Sequence, residues 1–129
     1  MIYLDTSVAL AQVLAEDRVP PAKLWREPLV TSRLLEYEAW TRIHALGLAR
    51  SHGELIRQVT TRLAFLELVP PVLARALEPF PVRVRTLDAL HLASIQFLRD
   101  QRHAVELASY DQRLLDAGRA LGVPVYPLE

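Results

Sequence analysis

Apolar runs and helix-like patterns alternate along the whole chain. Short continuous apolar runs, typical of buried strands, are followed by segments in which apolar residues recur every three or four positions, as on one face of a helix. Clusters of proline separate several of these segments. The pattern predicts strands at residues 1–4, 29–32, 66–69, 104–109 and 123–126, and helices at 6–16, 33–49, 54–66, 72–78, 87–100 and 112–121, with a short helix after Pro21.

Strands that alternate with helices favour an α/β fold with a central, mostly parallel sheet of about five strands. The length of 129 residues indicates a single domain over residues 1–129. The helix predicted at 87–100 is apolar almost all round, so we expect it to be buried. In sheets of this kind, reactive groups gather beyond the carboxyl ends of the strands.

The composition excludes several classes of protein. Hydrophobic residues make up 51% of the chain, enough for a core and too many for a disordered protein. No uncharged apolar run reaches the roughly 18 residues that cross a membrane, and the N-terminus lacks a basic signal-peptide region. There is no cysteine, which excludes disulfides and thiolate zinc sites. We therefore expect a soluble, cytoplasmic protein.

The charge balance alone gives no reason to expect a nucleic-acid partner. The formal net charge is zero, so there is no overall attraction to a polyanion. Lys23 is the only lysine, and the other basic residues are arginines. Arginine suits bidentate phosphate contacts, but a codon bias explains the same composition.

Four acidic residues stand near predicted junctions between elements. Asp5 and Asp111 each follow a strand and precede a helix, where a cap is worth about 1 kcal/mol. Asp88 lies in the first turn of the buried helix, where the helix dipole favours a carboxylate. Glu38 has Arg42 four residues later and could pair with it on a solvated face. Each acid taken singly thus has an ordinary structural explanation.

The four acids together indicate a metal site. Carboxylates at the ends of several elements come close together, and their repulsion is costly in a partly buried site. A bound cation offsets that repulsion. Oxygen ligands without cysteine, and without histidines at ligand spacing, suit Mg²⁺ or Mn²⁺.

Four stretches of the chain resemble the PIN-domain family, and within it the VapC-type toxins of toxin–antitoxin pairs. They are YLDTSVAL, VTSRLLEYEAWTRI, VRTLDALHLASI and LASYDQRLLDAGRALGV, and their order and spacing fit the family over nearly the whole chain. The resemblance implies a three-layer α/β/α fold. It also implies a metal-dependent endoribonuclease with a four-acid centre that holds Mg²⁺, with Mn²⁺ as an alternative.

The motifs assign the four acids by position. The catalytic and metal-binding residues carried over from the family are Asp5 in LDTS, Glu38 in EAW, Asp88 in TLDALHLA and Asp111 in SYDQRL. Glu36 is a competitor for the second position, but a helix places it about 200° from Glu38, so only one of the two faces the centre.

Several further residues are supporting candidates. Thr6, Ser7 and Ser109 match the small hydroxyl residues that accompany the family's acids, although helix capping explains them equally well. His91, three residues after Asp88, is either a partner of the site or a polar patch on a packed helix, and the sequence leaves this open. Arg33, Arg83 and Arg85 are weak candidates for RNA contacts and could equally be surface residues.

The resemblance also implies partners. A VapC-like toxin cuts RNA, forms a homodimer and is held inactive by a cognate antitoxin, which lays a segment across the active-site groove. Two alternatives stay open: a PIN nuclease that matures RNA without an antitoxin, and a PIN fold that has lost catalysis and only binds.

Overall fold

The computed structural model describes residues 1–129. It contains four strands, six α-helices and one short 3₁₀ helix. In chain order these are β1 (Ile2–Leu4), α1 (Thr6–Leu14), the 3₁₀ helix (Ala22–Arg26), β2 (Leu29–Ser32), α2 (Leu34–Ala45), α3 (Ala49–Thr60), β3 (Ala64–Leu66), α4 (Pro70–Ala76), α5 (Thr86–Asp100), β4 (Glu106–Ala108) and α6 (Gln112–Ala120).

The four strands form one parallel sheet in the order β3–β2–β1–β4. The α/β prediction is therefore confirmed, with four strands in place of about five. The segment predicted as a fifth strand contributes a single parallel bridge, between Val125 and Leu107 of β4. Pro124 and Pro127 flank that bridge, and proline has no N–H with which to extend a ladder.

Alternate residues of the strands pack into two separate apolar cores, because successive side chains point to opposite faces of a sheet. Ile2 and Leu4 of β1 pack with apolar residues of α1, α2 and α3 on one face. Tyr3, between them, packs with residues of α5 and α6 on the other face. Helices thus cover both faces of the sheet, which gives the three layers.

Helix α5 is the most deeply packed helix, as its almost uniformly apolar pattern predicts. Eight of its residues are buried, and they include the polar side chains of Asp88, His91 and Ser94. Ser94 satisfies its hydroxyl on the carbonyl of Leu90, 2.8 Å away. Asp88 and His91 point into the region that the acids occupy, so the buried helix carries part of the candidate site.

The segment between α3 and α4 shows the largest error in the predicted boundaries. We predicted a helix at 54–66 and a strand at 66–69, but α3 ends at Thr60 and β3 spans Ala64–Leu66. The apolar run after Thr61 fits either element, and pairing decides: Ala64, Phe65 and Leu66 align with β2. Val69, taken as a strand residue, is the N-cap of α4.

Two other helix boundaries follow from backbone chemistry. Helix α2 ends at Ala45, four residues before the predicted end, and Gly47 adopts a positive φ of 68° just beyond it. Helix α4 begins at Pro70 although proline pairs usually mark a break, because proline is favoured in the first turn of a helix. No helix in the structure combines the length and the apolar character that crossing a membrane requires.

Candidate active site

Four carboxylates line one open cleft, of about 590 Å³, at the carboxyl edge of the sheet. In the sheet, β2 and β3 extend to one side of β1 and β4 lies on its other side. The direction in which the chain adds strands therefore changes at β1. Ligands of parallel sheets bind in the crevice at such a change of direction. The four acids come from separate elements: Asp5 directly after β1, Glu38 within α2, Asp88 in the first turn of α5, and Asp111 directly before α6.

Asp5 is held by hydroxyl groups and does not cap its helix. It occupies the N-cap position of α1, but its side chain makes no capping bond. Its Oδ2 accepts hydrogen bonds from the hydroxyls of Ser7 (2.6 Å) and Ser109 (2.8 Å). These hydroxyls in turn accept from the backbone N–H groups of Tyr110 and Asp111. The two serines therefore fix the Asp5 carboxylate to the loop that follows β4.

Glu38 is held from two directions. Its Oε1 accepts from the Thr6 hydroxyl at 3.0 Å and lies 2.6 Å from His91 Nε2. It forms no ion pair with Arg42, which also lines the cleft. Glu36 is ion-paired with Arg33 and lies outside the cleft lining. Glu38 is thus the acid of this helix that faces the site.

A buried pair of residues supports Glu38 from below. His91 is 2% exposed and Tyr3 is fully buried, and the Tyr3 hydroxyl lies 2.7 Å from His91 Nδ1. A hydroxyl can donate to or accept from an imidazole nitrogen, so this contact suits either protonation state of His91. Burial, together with the negative charge of Asp5, raises the pKa of Tyr3 far above its ordinary range, so the phenol stays protonated.

His91 has a site contact, which the sequence left open. Burial lowers the pKa of its imidazole, but the hydrogen bond and charge of Glu38, with the charges of Asp5 and Asp88, outweigh that effect. The pKa of His91 consequently lies above its ordinary value of about 6.5. The raised pKa favours the protonated imidazole, whose positive charge would offset part of the negative charge of the cleft.

Asp88 and Asp111 share an arginine. Asp88 Oδ2 accepts from the backbone N–H of Arg85 at 3.2 Å and from Arg113 Nε at 3.1 Å. Asp111 Oδ1 caps α6 by accepting from the backbone N–H of Arg113, and its Oδ2 lies 3.9 Å from Arg113 Nη2. The ordinary explanations, a helix-dipole acid and an N-cap, thus describe part of what these two residues do.

The donor set fits a hard divalent cation by its chemistry. Asp5 Oδ1, Asp88 Oδ1 and Glu38 Oε2 accept no hydrogen bond from the protein, and carboxylate oxygens are the ligands that Mg²⁺ prefers. However, no three acidic or histidine side chains in this structure converge closely enough to hold an ion.

The comparisons with known proteins agree with this architecture. The family model of the PIN domain matches residues 2–120. This chain belongs to the PIN-domain family.

Curated PIN-domain relatives match over nearly their full length. "Ribonuclease VapC47" of Mycobacterium tuberculosis (strain CDC 1551 / Oshkosh) is 30% identical over 129 residues, which cover 95% of this chain and 93% of that protein. "Ribonuclease VapC46" of Mycobacterium tuberculosis (strain ATCC 25618 / H37Rv) is 33% identical over 128 residues, covering 96% and 95%. "Ribonuclease VapC35" of the same species is 29% identical, covering 97% and 95%.

The three arginines that were predicted as candidates for RNA contacts lie in different places. Arg85 lines the acidic cleft. Arg83 lies in a neighbouring, mostly apolar groove that Arg85 also borders. Arg33 is outside the cleft lining: its guanidinium pairs with Glu36 and Glu67 and stacks over Phe65. Of the three, Arg85 is the one placed to meet a ligand of the cleft.

Sequence reasoning missed two arginines and the hydrogen-bonded partner of His91. Arg42 and Arg113 line the cleft, and Tyr3 contacts His91. A signal existed for Arg113, because it follows Asp111 by two residues in the first turn of α6. No sequence pattern links Tyr3 to His91, which is 88 residues away and meets it only because β1 packs against α5.

Proposed function

We propose that this PIN-domain protein is a Mg²⁺- or Mn²⁺-dependent endoribonuclease and the toxin of a VapBC-like toxin–antitoxin pair. The observation that carries the proposal is the cleft itself, into which four carboxylates from four separate elements project. The names of the relatives support the ribonuclease activity, since each of them is called a ribonuclease.

Each acid receives a role from its surroundings. Asp5 and Asp88 would hold the ion through their free oxygens, and Asp111 through Oδ2, which accepts no hydrogen bond but lies 3.9 Å from Arg113 Nη2. Glu38 either joins them or accepts a proton from the attacking water. The chemistry that such an ion supplies is the activation of a water molecule and the neutralisation of charge on the scissile phosphate. Ser7, Ser109 and Thr6 orient the carboxylates by donating hydrogen bonds to them.

The rim of the cleft supports an RNA substrate. Arg42 and Arg85 line the cleft without an ion-paired carboxylate, so their guanidinium groups are available for backbone phosphates. Because the net charge of the whole chain is zero, attraction to RNA would have to come from local basic groups such as those of this rim. The cleft is wide and open, as cleavage within a chain requires.

We also propose the two protein partners that VapC-like toxins have. A cognate antitoxin would cover the acidic cleft and keep the nuclease inactive. A second copy of the chain would form a homodimer, and the exposed leucines at positions 73, 77 and 87 supply apolar surface beside the cleft for such contacts.

The decisive experiment is cleavage of total cellular RNA by purified protein with Mg²⁺, Mn²⁺ or EDTA. We expect metal-dependent fragments from the wild type and a loss of activity on the order of a thousandfold in Asp88→Asn. Asp116→Asn is the matched control, because Asp116 lies on α6 outside the cleft and pairs with Arg119. It should cleave as the wild type does.

Each other outcome has a defined meaning. Equal cleavage by Asp88→Asn and wild type would refute the assignment of the site. No cleavage together with no Mn²⁺ binding in calorimetry would favour a PIN fold that only binds. Cleavage by a protein whose gene has no neighbouring small open reading frame would favour RNA maturation without an antitoxin.

A further inference from the structure

Arg113 is the cationic side chain that touches two of the four acids. Its Nε donates to Asp88 Oδ2 at 3.1 Å, and its Nη2 lies 3.9 Å from Asp111 Oδ2. The acids belong to different elements, Asp88 to α5 and Asp111 to the start of α6. The guanidinium therefore bridges the two elements on the Asp88 side of the cleft.

The backbone of Arg113 is anchored by a capping hydrogen bond, whereas its guanidinium is partly exposed to solvent. The N–H of Arg113 is capped by Asp111 Oδ1 at 3.0 Å, which anchors the residue in the first turn of α6. The side chain is 43% exposed, so water borders the guanidinium. The side chain of Asp88 is only 10% exposed, so this ion pair is open to water and competing ions on its arginine side alone.

A divalent ion bound to Asp88 and Asp111 would have to lie close to the position that the guanidinium holds. Two cations at that separation repel each other, so the presence of one weakens the binding of the other. Arg42 and Arg85 line the same cleft but form no ion pair with its acids.

We propose that Arg113 is an internal counter-ion that competes with the divalent cation for Asp88 and Asp111 and releases them when the ion binds. This inference rests on the proposed metal-dependent function. Arg113 is then a positioning residue: in the metal-free protein its positive charge offsets the repulsion between the carboxylates of Asp88 and Asp111. It also sets a lower metal affinity than the four carboxylates alone would give.

The test is a calorimetric titration of Mn²⁺ into metal-free protein, without RNA. Arg113→Gln removes the competing charge, and we expect its Kd for Mn²⁺ to fall about fivefold, the upper range for a partly exposed ion pair. Arg119→Gln is the matched control: it makes the same change on the same helix, where Arg119 pairs with Asp116 outside the cleft. Its Kd should equal that of the wild type.

A second measurement needs only the wild-type protein. The Nε–H signal of Arg113 in a ¹H–¹⁵N spectrum, assigned by its loss in Arg113→Lys, should move towards the position of a solvated arginine as Mg²⁺ is added. A signal that stays unchanged while Mg²⁺ saturates the site would overturn the proposal. This readout does not depend on the folding of Arg113→Gln.

The outcomes separate this inference from the proposed function. Unchanged or weaker Mn²⁺ binding in Arg113→Gln, with RNA cleavage by the wild type intact, would overturn the counter-ion role alone. No Mn²⁺ binding by any variant and no cleavage would overturn both. Tighter binding in Arg113→Gln without detectable cleavage would support the counter-ion role and contradict the nuclease.

Discussion

The two halves of the cleft hold their carboxylates in different ways. Asp5 and Glu38 receive hydrogen bonds from hydroxyls and from an imidazole, one of them buried and the other three partly buried. Asp88 and Asp111 share the guanidinium of Arg113, which is bordered by solvent. One half is thus fixed from inside the protein, and the other is held from its surface.

This difference indicates which carboxylates can move. A buried donor that loses its acceptor has no water to replace it, so the contacts of Glu38 are costly to break. An exposed arginine exchanges its partner for water or another ion at little cost. The half with Asp5 and Glu38 is therefore the fixed frame, and the half with Asp88 and Asp111 is the part that adapts to a ligand.

The largest loss of stability should come from removing the side chain of His91, which supports Glu38 in the fixed half. His91→Ala opens a cavity beside the ring of Tyr3 and removes the imidazole that contacts the Tyr3 hydroxyl and Glu38. We expect the free energy of unfolding to fall by about 3 kcal/mol, from urea denaturation in EDTA. His103→Ala, at an exposed position, is the control and should change little. A loss at His91 no larger than in the control would show that the buried pair does not stabilise the fold.

An intermediate effect should appear in the free energy of unfolding, because the contribution of the His91–Glu38 contact to stability depends on pH. The folded-state pKa of His91 is raised, so the folded protein binds this proton more tightly than the unfolded chain does. The contribution of His91 to stability is therefore complete below about pH 6.5 and is lost as the pH rises through the folded-state pKa. His91→Gln keeps a hydrogen-bonding side chain that does not titrate.

The measurement is urea denaturation of wild type and His91→Gln from pH 5.5 to pH 9, in EDTA. The difference in unfolding free energy between the two proteins should shrink as the pH rises. A constant difference would mean that folding leaves the pKa of His91 unchanged, and a difference that grows with pH would mean that folding lowers it; either result would contradict the prediction.

The smallest effect should come from the half held by Arg113. Arg113→Gln should lower the free energy of unfolding by less than about 1 kcal/mol in EDTA at low salt, because the pair is partly exposed. In 1 M NaCl the difference should nearly vanish, since salt screens exposed charges. Thermal or urea unfolding at both salt concentrations measures it. A large, salt-independent loss would place Arg113 in the fixed half and contradict the comparison.

The fold was predictable from the sequence wherever the local pattern of apolar and polar residues fits only one kind of secondary structure. The α/β class, the buried helix α5 and the strands β1 and β2 follow from apolar runs and helical periodicity. The run after Thr61 had two solutions, and its pairing with β2 selected the strand Ala64–Leu66. The last predicted strand failed for a local reason, since two prolines limit it to one bridge.

The site was predictable in its acids and not in their partners. Asp5 and Asp111 follow from the rule that reactive groups gather beyond the carboxyl ends of strands, whereas Asp88 follows from the family motif and from its place in the first turn of the buried helix. Glu38 follows from the motif and from its position on the helix opposite Glu36. Their roles as metal ligands stay a prediction, because no ion-holding group of three is present in this arrangement.

The sequence by itself determined which elements form and which acids stand at their ends, because these depend on side-chain periodicity and on turn chemistry over a few residues. Only the tertiary structure decided that Tyr3 meets His91, that His91 meets Glu38, and that Arg113 reaches Asp88. These contacts span 88, 53 and 25 residues. Each depends on how a helix packs against the sheet or against another helix, and local patterns carry no information about that register.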